Sequence, residues 1–357
     1  MTIERKYIIL YIMEAKYYDG TKLLSMLDIN GQQPDIYIST SNRSAGKTTY
    51  FSRLFVKRFL NHGEKFALFY RYNYEISDVA DKFFKELKTL FFPNYEMKSK
   101  SRAKGIYHEL YLNDSLCGYA MAINSAEQLK KYSHLFADVQ RILYDEFQSE
   151  NNKYCPNEVT KFLSLLVSIS RGGGQQVRRV PVYMLGNLVT VLNPYYIALD
   201  VSDKLDNKTK FLKGDGFVIE QGFLSEVAQQ QKQTGILRAF KNENYTRYAT
   251  EAIYLNDNAV FIEKPEGKNN YLATVIIEGC EYALREYPEK GIIYCSENVD
   301  KTFPNKITLS AEDMKINYIM LQKNDFFISL MKKFFEVGAF RFQNLKCKKA
   351  VFKMLSY

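Results

Sequence analysis

Ser41-Asn42-Arg43-Ser44-Ala45-Gly46-Lys47-Thr48 is the stretch that decides the fold. Asp35 to Thr40 (DIYIST), just before it, reads as a short buried strand, and Thr48 to Leu60, just after it, places Phe51, Leu54, Phe55 and Phe59 at helical spacing. A loop in that setting presents backbone N–H groups at the start of a helix, where the dipole favours an anion. Gly46 lets the backbone approach closely, Lys47 would reach β- and γ-phosphates, and the Thr48 hydroxyl would bind Mg²⁺. Residues Ser41 to Thr48, with Thr49 behind them, are the expected nucleotide-binding set. Ser41 stands where the regular pattern has its first glycine, so the motif is incomplete, and a bare Gly-Lys-Thr also arises by chance.

The neighbouring sequence supplies what such a loop needs. Phe66 to Tyr70 (FALFY) reads as a strand, Ser77 to Phe91 as a helix, and Tyr107 to Asn124 as a hairpin turned at Asn113–Asp114. Val139 to Tyr144 (VQRILY) is an apolar strand ending in Asp145-Glu146. There Asp145 would hold Mg²⁺ through water and Glu146 would polarise an attacking water; an acid pair after a strand is otherwise a helix cap or a solvated turn. Asn157 to Ser170 reads as a helix and Val180 to Leu185 as a strand, after which Asn187 is either a γ-phosphate sensor or an ordinary turn residue. Alternating strands and helices predict an α/β domain with a mostly parallel sheet.

A helix over Asn157–Ser170 runs about 21 Å, leading Arg171 away from the strand ends that would hold a nucleotide. Arg171 is therefore expected to serve a neighbouring subunit's site, which implies a ring. As a plain structural residue it would cap the helix before Gly172, Gly173 and Gly174. Arg178 and Arg179 are the rival candidates.

With 357 residues, 46% hydrophobic and 25% charged, the chain has the balance of a globular protein of two or three domains. The apolar run Tyr7 to Met13 is too short for a membrane span, which needs about 20 residues, and no membrane partner is expected. No signal peptide is visible, and the first 33 residues receive no role. Five cysteines without a CxxC pair read as reduced thiols. The net charge of +9 is uneven, with seven Lys/Arg against Glu336 alone from Met331 onward. Lys98, Lys100, Arg102 and Lys104 form a second cluster. Both suit a phosphate-backbone binder or, equally, a solvated basic face.

Residues 204 to 244 are polar and read as a connecting subdomain. Four β-type runs follow, Ala259–Lys264, Leu272–Glu278, Cys280–Glu286 and Gly291–Cys295, then a helical C-terminus from about Ala311. The expected division is 1–203, 204–255 and 256–357.

SNRSAGKT, LYDEF, KYCPNEVTKFLSLL and GNLVTVLNPYY together resemble the DNA-packaging ATPases of phi-29-like tailed phages, as do VFIEK at 260–264 and GAFRFQN at 338–344. The resemblance implies an ASCE P-loop motor related to large terminase subunits. Such a motor is a pentameric ring at the portal of an empty capsid in the host cytoplasm, and it drives double-stranded DNA inward with ATP and Mg²⁺. It implies catalytic roles for Lys47, Glu146 and a trans-acting Arg171, nucleotide contact for Arg71, and DNA contact for Lys130 and Lys131. It also implies a degenerate RNase H-like second domain, whose acids Glu263, Glu278, Glu281 and Glu297 are too scattered for two-metal cleavage. The basic tail then docks on DNA, portal or a packaging RNA. Two other readings compete: a helicase-like translocase, which would use Tyr132 and Phe136 to stack bases, and a non-hydrolysing basic docking protein. A small-molecule kinase would need an acceptor motif, which the chain does not show.

Overall fold

The computed structural model describes residues 17–151, 153–171, 177–191, 193–202, 204–205, 209–251, 254–255, 261–322 and 325–356. The chain divides into two compact units, residues 1–190 with 205–256, and residues 191–204 with 257–357.

The first unit is built on a nine-stranded sheet, ordered β3-β4-β5-β2-β6-β7-β1-β9-β8. Its strands are β1 (Ile36–Ser41), β2 (Lys65–Tyr70), β3 (Met97–Arg102), β4 (Tyr107–Leu112), β5 (Ser115–Ala122), β6 (Val139–Tyr144), β7 (Val182–Asn187), β8 (Phe211–Gly214) and β9 (Phe217–Phe223). The run from β5 through β9 is parallel, and β3, β4 and β8 add antiparallel edges.

Side chains alternate across a strand, and here the alternation places helices on both faces. Phe66, Leu68 and Tyr70 of β2 pack with Phe51, Phe55 and Val56 of α1 (Lys47–His62) and with Ile76, Phe84 and Leu87 of α2 (Tyr74–Leu90). Phe69 and Tyr144 point the other way, onto Phe162 of α3 (Glu158–Ser170), with ring centroids 6.2 and 5.9 Å away. Helix α1 stops at Gly63, whose φ of 68° lets its N–H reach back to Phe59 O at 2.8 Å. The α/β expectation holds. β7 lies between β1 and β6, so one strand separates the loop-bearing strand from the acid-bearing one, the ASCE arrangement.

Residues 204–255 are more than a connector. They supply β8 and β9, with β9 parallel to β1, and the helices α4 (Glu226–Lys232) and α5 (Asn244–Glu251). Phe217, Val218 and Ile219 are buried; their short apolar run was hidden in polar surroundings. The basic cluster at 98–104 also has a structural use. It lies on edge strand β3, where Lys98 pairs with Glu96 at 2.9 Å, Arg102 pairs with Glu109 at 2.7 Å and Lys100 sits over Tyr111. Charges on an edge discourage strand-to-strand aggregation.

The second unit has a six-stranded sheet of β10 (Asn270–Ile277), β11 (Cys280–Tyr287), β12 (Ile292–Ser296), β13 (Lys306–Thr308), β14 (Ile319–Met320) and β15 (Phe340–Phe342). β10, β11 and β12 form an antiparallel meander, and β13 and β14 continue in parallel from β10. Helices α6 (Phe326–Glu336) and α7 (Leu345–Ser356) cover it through Ile328, Met331, Val351 and Met354. This is the expected α+β unit.

Two local expectations fail. The helix begins at Phe326 and not near Ala311, because a turn at Lys315–Tyr318 with Asn317 at φ 71° breaks it. Of the run Ala259–Lys264, residues 259–260 lie outside the described residues, and Ile262 makes only a single bridge to Phe342.

Candidate nucleotide-binding site

The loop from Ser41 to Lys47 joins β1 to α1. Ser44 and Gly46 take left-handed φ values of 58° and 91°, and α1 begins directly after Gly46. Lys47 is the first helical residue, and its Nζ donates to Ser41 Oγ. Burial lowers its ammonium pKa to about 8, against the pull of Asp145, Glu220 and Glu146. Thr48 Oγ1 donates to Asp145 Oδ2 at 2.8 Å, bringing together the two residues expected to hold Mg²⁺. A hydroxyl and a carboxylate suit that hard cation, which takes one or two carboxylates plus substrate phosphates. Thr49 lines the cleft beside them with Ser52 and Asp145.

Asp145 and Glu146 follow β6. Burial raises the carboxyl pKa of both, and Asp145 raises that of Glu146 further by like charge. Glu146 has φ 53°, so the chain turns sharply there. The turn is clamped from two sides. Phe147 packs against Gly186, where any Cβ would meet its ring at 2.9 Å, and Gln148 Oε1 accepts from the amides of Val189 and Thr190 at 3.1 and 3.0 Å.

Asn187 is the register partner of Ser41 across β1 and β7, so the expected sensor lies beside the first loop residue. Arg71 is placed differently from the expectation of nucleotide contact. Its Nε donates to Glu158 Oε2 at 2.9 Å, and its Nη2 donates to Tyr144 Oη at 3.1 Å and Phe147 O at 2.8 Å. It braces the acid-bearing turn from within the core. Arg43, in the loop, points outward to Glu150 at 2.9 Å and to the Tyr245 hydroxyl of α5. Asn42 is buried and tied to the same segment, accepting from Ser225 N at 3.2 Å and donating to Ala249 O at 3.4 Å.

The three candidate arginines separate cleanly. Arg178 donates to Val139 O and Ile169 O, and Arg179 donates to Pro34 O and pairs with Asp35. Arg171 caps α3, is exposed, and has no partner among the described residues. Gly172 to Gly174 lie outside those residues. Lys130 and Lys131 begin a short 3-10 helix; Lys130 pairs with Glu127 at 2.7 Å, and Lys131 is exposed. Tyr132 packs on Tyr107 at 5.8 Å, and Phe136 is fully buried against Tyr107 and Tyr119, so neither is a free stacking platform.

Sequence reasoning missed Glu158, Gln148, Glu150 and Glu220. Glu220 carried a signal, a lone acid in the apolar run FVIEQGF. It is buried and accepts from Tyr18 Oη at 2.6 Å and Ser39 Oγ at 3.0 Å.

A family model described as the podovirus DNA encapsidation protein (Gp16) matches residues 13–356. The chain belongs to that family. DNA packaging is accordingly the function of this encapsidation protein. It is 25% identical over 306 residues to the DNA packaging protein of Bacillus phage phi29, covering 85% of this chain and 87% of the relative. The DNA packaging protein of Bacillus phage B103 is also 25% identical, over 308 residues, covering 85% and 90%. Two solved structures share its fold. A chain of the bacteriophage Phi-29 viral genome packaging motor assembly has a TM-score of 0.60 at 22% identity, over 95% of this chain and 99% of that one. A chain of the Phi-28 gp11 DNA packaging motor has a TM-score of 0.64 at 16% identity, over 95% and 98%.

Proposed function

We propose that this encapsidation protein is a Mg²⁺-dependent ATPase that moves double-stranded DNA into a procapsid as a ring of subunits. The observation that carries the reading is the Thr48–Asp145 hydrogen bond, which joins the phosphate loop to the acid pair. Mg²⁺ bound by Thr48 and Asp145 would neutralise charge on the β- and γ-phosphate oxygens. Lys47 exchanges its Ser41 partner for a γ-phosphate oxygen. Glu146 takes a proton from water as the water oxygen bonds to the γ-phosphorus. The bond to the bridging oxygen breaks, and ADP and phosphate leave. Arg171 of a neighbouring subunit stabilises the charge that develops, and Asn187, beside Ser41, registers loss of the phosphate.

Lys130 and Lys131 contact DNA phosphates in the pore. The Lys130–Glu127 pair is exposed, and such pairs contribute only about 0–1 kcal/mol, so exchange for a phosphate costs little. Tyr132 and Phe136 are engaged in packing, which favours duplex binding over single-strand stacking. The assembly is a pentamer on the portal, in the host cytoplasm. A packaging RNA is a further partner for the second unit.

That unit is not a nuclease in this reading. Glu263, Glu278, Glu281 and Glu297 are each ion-paired, to Arg341, Lys353, Lys315 and Lys346. The same pairs absorb much of the basic tail. Lys332 and Lys333 on α6 are exposed and offer the docking charge.

The test is ATP hydrolysis by the purified protein at low salt, with and without duplex DNA, beside Lys47→Ala. Turnover that rises with duplex and disappears in the variant supports the motor. Turnover unaffected by Lys47→Ala would sink it. If wild type is silent, the assay is repeated at high protein concentration. Activity appearing there points to a site completed by a neighbour, and continued silence counts against hydrolysis.

A further inference from the structure

The chemistry above leaves Glu220 of β9 unused, although it is buried, 7% exposed, on the strand that runs beside the loop-bearing β1. Residues i and i+2 of a strand share a face. Tyr37, Ser39 and Ser41 of β1 therefore line one face. Val218 and Glu220 of β9 line the same one, because Ser39 is the register partner of Glu220 and its Oγ donates to Glu220 Oε2 at 3.0 Å. Tyr37 and Val218 belong there to the core that holds Phe51 and Phe55 of α1. The face is apolar at one end and turns polar where it reaches the phosphate loop.

Lys47 enters the same face from α1, with Nζ donating to Ser41 Oγ. Two serines thus hold opposite charges side by side, Ser39 a carboxylate and Ser41 an ammonium, with about 7 Å between residues two apart along a strand. Among the described residues the two charges meet through this pair of hydroxyls and not in direct contact. Tyr18, itself buried, donates its hydroxyl to the same Glu220 oxygen at 2.6 Å, so the carboxylate is fixed in place. Buried acids are normally paired. Lys22 also acts on Glu220, but it is exposed, with Nζ over the Phe211 ring at 4.8 Å, whereas Lys47 is buried. Lys47 in turn is drawn by Asp145 and Glu146, which follow β6, and by Glu220 on β9. Those strands lie on opposite flanks of β1, so the two pulls oppose each other.

We propose that Glu220 is a positioning residue for Lys47, drawing the ammonium back onto Ser41 when the loop is empty and so competing with the phosphates for it. The proposal rests on the nucleotide-site reading above. It assigns Glu220 a cost in affinity: the carboxylate stabilises the empty arrangement and repels the occupied one. Its benefit is faster release of ADP, which a motor needs at every cycle. At about 10 Å and an effective dielectric between about 20 and 40, removing one charge changes affinity roughly 5- to 15-fold.

The sign separates this role from a structural one. Glu220→Gln keeps an oxygen that can accept from Tyr18 and Ser39 but removes the charge. By calorimetry at neutral pH on the full-length protein, it should bind ADP and inorganic tripolyphosphate roughly 5- to 15-fold more tightly than wild type. Dissociation of a fluorescent ADP analogue in stopped flow should slow by the same factor. Glu220→Asp keeps the charge and shortens its reach to Tyr18, so it should lower the melting temperature while binding ADP more nearly as wild type does. In a Lys47→Met background the gain from Glu220→Gln should shrink. Unchanged or weaker ADP binding in Glu220→Gln would show that Glu220 only supports the fold, and would overturn the proposal. Equal tightening in Glu220→Asp, or an undiminished gain in the Lys47→Met background, would overturn it too, since the charge would then not act through Lys47. A wild-type protein that binds neither ADP nor tripolyphosphate would overturn the nucleotide reading itself, and the role of Glu220 with it.

Discussion

ADP binding to this protein is expected to take up a proton once the pH passes about 8. Lys47 sits at the start of α1, buried, with its ammonium donating to Ser41 Oγ. Burial is the largest influence and lowers its pKa from the ordinary 10.5 to about 8, although Asp145, Glu220 and Glu146 pull the other way. A phosphate oxygen beside Nζ restores the charged form, so the bound state holds the proton to higher pH. At about pH 8.5 the empty site is roughly three-quarters deprotonated, so binding should take up about 0.75 proton, and log affinity should fall with a slope approaching –1 beyond that point.

The same shift has a defined sign in stability. The folded pKa lies below the unfolded one, so the cost of burying the ammonium is fully present below pH 8 and is relieved as pH rises through 8 toward 10.5. At 1.36 kcal/mol per unit the relief is about 3 kcal/mol. Calorimetry in two buffers of different ionisation enthalpy measures the uptake directly. Lys47→Met should remove both the uptake and the pH slope. Wild-type affinity that stays flat from pH 7.5 to 9.5 with no proton uptake would refute the reasoning, since Lys47 would then carry its charge throughout or face no phosphate.

Glu146→Gln should retain nucleotide while turnover falls about 10²- to 10⁴-fold, the usual contribution of a positioned general base; single-turnover hydrolysis checks it, and a loss confined to affinity would contradict the role. Arg171→Ala should leave the melting temperature unchanged and cut turnover of the assembled ring by about 10³- to 10⁵-fold. Arg178→Ala should do the reverse, lowering the melting temperature because the carbonyls of Val139 and Ile169 lose their donor. Glu158→Gln leaves the Arg71 guanidinium buried without its counter-charge, and should cost about 3–5 kcal/mol in urea unfolding. A change under about 0.5 kcal/mol would show that Arg71 does not depend on that carboxylate.

The parallel core was legible because its strands are continuous apolar runs and its helices carry periodic phenylalanines. FALFY and VQRILY each end at the site, and the register of β1 against β7 delivers Asn187 to Ser41. What stayed hidden was set by long-range partners. Arg71 follows a strand tip, where an arginine near phosphates looks much like one near a buried acid. Only the position of Glu158, 87 residues away, distinguishes the two. The partners of the basic tail were hidden for a similar reason. Lys346, Lys349 and Lys353 recur along one helix, and each meets a carboxylate distant in sequence, Glu297, Asp200 and Glu278. Charge clustering in a sequence records cations and says nothing of the anions folded against them.

The irregular phosphate loop follows the same logic. A regular loop relies on glycines to reach left-handed φ and to let backbone approach phosphate; here only Ser44 and Gly46 have positive φ. The residues standing in for the missing glycine use side chains to hold the loop. Ser41 Oγ receives Lys47, Asn42 joins the loop to Ser225 and Ala249, and Arg43 joins it to Glu150 and Tyr245. Three of those five partners, Ser225, Tyr245 and Ala249, lie in the 204–255 segment that sequence reading kept apart from the loop. The departure from the glycine pattern and the polar segment read as a connector are therefore one feature. A loop poor in glycine needs external hydrogen-bond partners to hold its shape, and β9 running parallel beside β1 brings residues 225–251 close enough to provide them.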